Sequence, residues 1–281
     1  MRKLIYLSTL SFILLVGILI LTGRFSWFGS RPAITWFPES EQIVFEKAET
    51  RLRDLPDSDQ IEWTVDSQLQ NSVYLIQHFS LLYKNNRLVG MINHWKNNEQ
   101  SLSDRRTPEA VPGFYQSLTV HQGELHSDDK IFGKEILSES RLFLYQDGEI
   151  RHAFTVPKDI REKKMWAGYM KGQKERQKQL IFQAQKIARF NPADYRIVPL
   201  SELTEQSISQ LFPFGKVKAE RITGRLWEGI YRMIVGGIET QQGRTVPAAG
   251  STMPLLLIGK DHLLLIVETA DHQIVLLKQL F

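Results

Sequence analysis

Residues 72–95 read SVYLIQHFSLLYKNNRLVGMINHW. Two runs rich in β-branched and aromatic residues, Ser72–Tyr83 and Arg87–Trp95, flank Lys84-Asn85-Asn86. Asparagine tolerates the positive φ that a tight hairpin turn requires, so this stretch predicts an antiparallel hairpin. The same grammar recurs outward along the chain. Phe114–His126 reads as a strand, and Arg141–Val156 reads as two strands around a type I′ turn at Gln146-Asp147-Gly148. Near the end, Leu255–Ile258, His262–Thr269 and Gln273–Leu280 are joined at Gly259-Lys260-Asp261 and Ala270-Asp271-His272, a spacing that suits a meander. Gly229–Thr240 reads as one more strand, with Gly236-Gly237 as a bulge. LLYKNNRLVGMI, LFLYQDGEIRHAF and LLLIGKDHLLLIV share one strand-turn-strand form, the form of any hairpin, so it does not by itself establish a duplicated module.

Between these runs lie helical and irregular stretches. Glu41–Leu55 is predicted helical, with Ser40 as N-cap and Pro56 as its stop. Asn97–Gly113 is polar, carries Pro108 and Pro112, and reads as a loop. Lys158–Phe190 reads as a helix interrupted near Gly168 and Gly172. Its apolar stripe comprises Trp166, Tyr169, Met170, Leu180, Ile181, Ala184, Ile187 and Ala188. Ser201–Leu211 reads as a short helix. The fold class is therefore α+β: antiparallel sheets with flanking helices, preceded by one N-terminal transmembrane helix.

That transmembrane reading rests on Leu4–Thr22, LIYLSTLSFILLVGILILT, which carries no charge and spans 22 − 4 + 1 = 19 residues. At about 1.5 Å per residue it would cover roughly 28 Å, close to a bilayer core. The stretch is longer than a cleavable h-region, and no small-x-small site follows it, because Trp27 and Phe28 occupy the −3 positions. An uncleaved signal-anchor is expected. Phe25, Trp27 and Phe28 would then form an interfacial aromatic belt. Arg2 and Lys3 precede the segment, so the body from about Arg31 is expected on the outer side of the cell membrane, in a single-pass topology. The chain has no cysteine, compatible with an exterior domain that uses no disulfides. The expected organisation is an anchor over residues 1–23, a tether over 24–40, a β-rich lobe over 41–157, and a basic helix plus C-terminal sheet over 158–281.

The net charge of +4 conceals a segregation. Pro32–Pro157 holds 12 basic and 19 acidic residues (12 − 19 = −7), whereas Lys158–Phe190 holds 10 basic and 3 acidic (10 − 3 = +7). Lys163, Lys164, Lys171, Lys174, Arg176 and Lys178 crowd one stretch of the predicted helix and are the candidate binding residues for an anionic surface. The bland alternative is a solvated helix whose charges complement the acidic N-terminal half. No aromatic-interleaved nucleic-acid module accompanies the charge, so nucleic acid is not an expected partner.

Other candidates are weaker. His121, Glu124, His126, Asp128 and Asp129 lie together but lack zinc-helix spacing, and on a strand His121 and His126 would face opposite sides. Gly250-Ser251-Thr252 lacks the strand-to-helix setting of a nucleophile elbow. No catalytic residue, metal site or cofactor is assigned. The layout resembles that of bacterial envelope regulators and sensors in architecture alone, without a shared motif. The expected function is a non-enzymatic, membrane-anchored envelope module. It would contact the bilayer through residues 4–22 and bind an envelope protein or anionic polymer. An extracytoplasmic cell-envelope hydrolase is the alternative.

Overall fold

The computed structural model describes residues 34–205 and 215–281. The membrane segment read at residues 4–22 and most of the helix read at Ser201–Leu211 lie outside the described residues. Of that helix, Glu202–Glu205 forms one helical turn. No helix among the described residues is long and apolar enough to cross a membrane.

Asn85 and Asn86 take φ values of 49° and 70°, the paired left-handed geometry of a type I′ turn. They join β2 (Gln60–Lys84) to β3 (Arg87–Arg106), the longest strands of the molecule. β3 lines one edge of β2. The other edge is shared: Ile61–Leu69 pair with β1 (Phe45–Leu55), and Leu75–Lys84 pair with β4 (Gly113–Ser127). A register shift between Gln68 and Val73 separates the two halves. β5 (Lys130–Asp147) and β6 (Ile150–Phe154) complete a six-stranded antiparallel sheet. The shared edge folds β1 back over β4 and β5, so that Thr50 reaches Thr119 and Ser138, and Leu52 N donates to Ser140 Oγ at 2.9 Å.

Three elements differ in kind from the sequence reading. The helix expected at Glu41–Leu55 is strand β1. Its period is two, with Thr50 and Leu52 inward and Arg51 and Arg53 outward, and Ser40 closes a turn onto Gln42 N instead of capping a helix. The loop expected at Asn97–Gly113 is strand as far as Arg106. Its side chains are polar because they are cross-strand partners: Ser103 bonds Asp66, Asp104 bonds His78, and Arg105 pairs with Glu62. The strand expected at Gly229–Thr240 is mostly the end of a helix, Lys216–Gly236. Ala219, Ile222, Leu226, Trp227, Ile230, Tyr231 and Ile234 form its buried stripe. Gly237, at φ 95°, ends the helix and is followed by the two-residue ladder of β8 (Ile238–Glu239) and β9 (Thr245–Val246).

The basic segment forms α1, an unbroken helix over Ile160–Ala188, and Lys216–Gly236 is α2. Asp159 caps α1 by accepting from Glu162 N, while Glu162 accepts from Lys158 N, so orphan amides at the first turn are satisfied. The C-terminal meander forms as read: β10 (Leu255–Ile258), β11 (His262–Glu268) and β12 (Ile274–Leu280), with β7 (Arg196–Pro199) beside β10. The first half of α1 lays Trp166 and Tyr169 on Phe114 of β4. Its second half buries Leu180 and Ala184 against Leu255, Leu257 and Ile266. One helix thus packs on both sheets. What the structure supports is a mostly antiparallel, sheet-rich α+β fold with two principal helices.

Candidate functional site

On α1 the candidate lysines separate from the candidate arginine. At 3.6 residues per turn, Lys163, Lys164, Lys171, Lys174 and Lys178 fall within an arc of about 100°, while Arg176 lies on the far flank. All are exposed. The stripe also carries Ile160 (86% exposed) and Phe182 (60%), with the Lys186 ammonium 4.4 Å from the Phe182 ring centre. Lys178 pairs with Glu175 at 2.9 Å and Arg161 with Asp147 at 2.5 Å. Among the described residues, Lys163, Lys164, Lys171, Lys174 and Arg176 form no ion pair. The acidic half therefore does not neutralise the stripe. Crowded lysines a turn apart repel by a few tenths of a kcal/mol per pair, and nothing within the described fold offsets this at those positions.

A second constellation lies inside the six-stranded sheet, buried except at His94, whose side chain is 44% exposed, and was not assembled from the sequence. Asp104 accepts from His94 Nδ1 at 2.8 Å and from His78 Nδ1 at 2.7 Å. His78 Nε2 and His121 Nδ1 both contact Ser67 Oγ at 2.7 Å, and His121 Nε2 contacts Ser138 Oγ at 2.7 Å. Ser138 continues to Thr50, Thr50 donates to Thr119, and Thr119 meets Ser80. The chain runs between two apolar clusters, one around Trp63 and Leu82 and one around Ile43 and Ile76. Burial holds the His121 imidazole down at about 3 and lowers His78, so both rings stay neutral near pH 7. Burial opposes the charge on Asp104, but the hydrogen bonds and attraction of His78 and His94 outweigh this and leave the carboxyl below its ordinary value.

Asp104, His78 and Ser67 reproduce the bond order of a Ser-His-Asp triad. Their surroundings do not reproduce its chemistry. Ser67 is 3% exposed, and its hydroxyl is claimed by two imidazoles. Acyl transfer needs a reacting carbonyl about 3 Å from the nucleophile, and here that space is filled by His121. The partners lie 11, 26 and 54 residues apart, so no local spacing signals them; register sets His78 beside His94 and His121, and a bend of the β2–β3 ribbon at the shift between Gln68 and Val73 brings Ser67 and Asp104 onto them.

The weaker candidates disperse. His121 joins the buried chain, whereas His126 stacks on Tyr74 with ring centres 3.6 Å apart and sits 3.5 Å from Glu124. Among the described residues no group of three or more His, Asp or Glu is arranged to hold a metal ion. Ser251 serves through its backbone, accepting from Leu88 N at 2.8 Å and donating to Ala248 O at 3.0 Å. A small pocket of about 50 Å³ between Trp36 and α2 is lined by Glu135. Burial, then the nearby Glu228, Glu39 and Glu124, push this carboxyl up to about 7. Comparison of the chain with protein-family models finds no match, and no curated protein matches it significantly.

Proposed function

We propose that this protein is a membrane-anchored, extracytoplasmic binding module whose α1 stripe holds an anionic surface of the cell envelope. The carrying observation is the row Lys163, Lys164, Lys171 and Lys174, exposed and without ion pairs among the described residues. From Lys163 to Lys178 the row extends over roughly 22 Å of helix, enough to span several phosphate or carboxylate groups. Such a row concentrates anions and attracts them in a salt-dependent way. Exposed Ile160 and Phe182 add apolar contact of the kind that accompanies lysine at interfaces. An anchor at residues 4–22 would tether the chain to a membrane, and lipid headgroups and acidic wall polymer there share the same charge chemistry.

The soluble body, residues 34–281, should sediment with vesicles containing phosphatidylglycerol or with an acidic wall polymer such as teichoic acid, and release at high salt. Lys163→Gln, Lys171→Gln and Lys178→Gln combined should weaken this binding about tenfold or more and flatten its salt dependence. Vesicle binding alone identifies the lipid as partner, and polymer binding alone identifies the wall. Binding to neither, or binding indifferent to the triple substitution, would overturn the proposal.

A further inference from the structure

Beneath α1, on the side away from the lysine stripe, two cavities share a wall. One, of about 410 Å³, lies between the β2–β3 turn, α1 and the C-terminal sheet. The other, of about 150 Å³, lies between α1, β4 and the β7 end. Asn86, Gln177, Pro199 and Met253 line both, so the two form one groove running along the helix. The larger part falls in the size range of small-molecule sites, about 300–1,000 Å³.

The lining changes character along the groove. At one end Trp166 and Tyr169 present half-buried aromatic surface beside Phe114, with Gln173 Nε2 donating to Tyr169 Oη at 2.5 Å. Asn86 and Gln177 offer amides where the two cavities meet, and Gln183 offers one farther along α1, each both donor and acceptor. Arg176 stands beside Gln177, and its guanidinium folds back over Gly172 toward Tyr169, next to the aromatic end. The guanidinium has no ion pair among the described residues. Arg87, close by, is committed to Glu268 at 2.5 Å and to the Gly250 and Thr269 carbonyls. Glu268 also holds His272 Nδ1 at 2.6 Å, and at the aromatic end the Glu202 carboxyl faces the positive charge of Arg196 and Arg141, so both acidic groups of the lining are already partnered.

These three surfaces each select for something. Sugar rings lay their C–H faces on aromatic rings. Hydroxyl groups pair with side-chain amides, which can serve them as donor and acceptor at once. A carboxylate matches the planar fork of an arginine. We infer that this groove is a binding site for an acidic saccharide, with ring carbons on Trp166 and Tyr169, hydroxyls on Asn86, Gln177 and Gln183, and a carboxylate on Arg176. The inference does not depend on the lysine stripe, which lies on the opposite face of the helix.

Calorimetry on the full chain in a sugar-free polyoxyethylene detergent, with trigalacturonate as the acidic probe, maltotriose as the neutral one and inorganic phosphate as the bare anion, tests it. Trigalacturonate should bind with a 1:1 stoichiometry, and at least tenfold more tightly than maltotriose or phosphate. Arg176→Gln should weaken trigalacturonate at least tenfold while leaving the much weaker maltotriose signal unchanged. Trp166→Phe, which retains an aromatic core contact, should weaken both sugars severalfold. Lys163→Gln combined with Lys171→Gln should leave trigalacturonate affinity within twofold, and this separates the groove from the stripe. No trigalacturonate binding, equal affinity for phosphate, or loss on the lysine substitutions with none on Arg176→Gln would overturn the assignment. Thermal melting of each variant accompanies the titrations, and Gln183→Ala, an exposed change, supplies a second groove variant that leaves the core intact.

Discussion

Ser67 serves two imidazoles with one hydroxyl, and its replacement separates structure from chemistry. In Ser67→Ala both His78 Nε2 and His121 Nδ1 lose a partner in a site that water does not reach. An unmade buried bond costs about 1–3 kcal/mol, so urea denaturation should show a loss of about 2–4 kcal/mol. A nucleophile would behave oppositely, losing function with the melting point unchanged. Acid titration reads the same chain through a different observable. His121 ordinarily titrates near 6.5 but is held at about 3 in the fold. The unfolded chain therefore takes up a proton that the fold refuses, and stability falls as pH drops below about 6.5, by about 1.4 kcal/mol per unit. Glu135 works against it. Raised from 4.5 to about 7, it contributes stability that is complete below pH 4.5 and lost as pH rises through about 7. Between about pH 4.5 and 6.5 the two slopes oppose, and the net profile should be shallow. Glu135→Gln removes one of them, so the variant should be the more stable protein at pH 8 and should lose stability steeply on acidification. Superimposable profiles for the variant and the parent from pH 5 to 8 would contradict this.

Among the elements, the C-terminal strand illustrates how far an apolar run can be trusted. β12 is an edge strand whose two faces are both covered near its start, at Val275 and Leu276, and largely open toward its end. Val275 is buried and Leu276 packs on the α1 cluster, while Leu277 is exposed and Leu280 is 69% exposed. Val275→Ala should cost about 1–3 kcal/mol, whereas Leu280→Asp should stay within about 0.5 kcal/mol of the parent, both measured by chemical denaturation. Lys278 on the same edge discourages pairing with a second chain. The hairpins were legible because their turns are written locally, in asparagines and a glycine that accept positive φ. β1 and α2 were not. A charged, capped stretch such as Glu41–Leu55 satisfies local helix rules and becomes a strand only because β2 offers it an edge. Ile230, Tyr231, Met233, Ile234 and Val235 favour strand locally, and only the stripe that begins at Ala219 declares a helix. The lysine row could be read from composition, but its exposure and the groove behind it depend on which face of α1 meets the sheets.

At the scale of the whole molecule, two sheets must unfold together or apart, and Arg87 sits where that is decided. It begins β3, yet its guanidinium donates to Gly250 O at 3.2 Å and Thr269 O at 3.3 Å and pairs with Glu268 at 2.5 Å, all from the C-terminal part. Backbone bonds reinforce this seam: Gly250 N donates to Leu88 O and Met253 N to Asn86 O. The other tie is α1, which presses Trp166 on Phe114 at one end and Leu180 on the meander at the other. With both ties present, tryptophan fluorescence and far-UV circular dichroism should report one coincident transition. Arg87→Ala removes three bonds to a charged donor, two of them to carbonyls that lie at the seam. Hydrogen bonds to charged groups are worth about 1.5–3 kcal/mol each, and partial exposure of Arg87 reduces that sum, so a net loss of about 2–3 kcal/mol is expected. Cooperativity should suffer more than stability. The two probes should separate, with the C-terminal meander melting first, because its short strands bury less than the long β2–β3 ribbon. Combining Arg87→Ala with Trp166→Ala cuts both ties and should widen the separation beyond the sum of the single effects. Coincident transitions in the double variant would mean that the backbone seam alone holds the sheets as one folding unit.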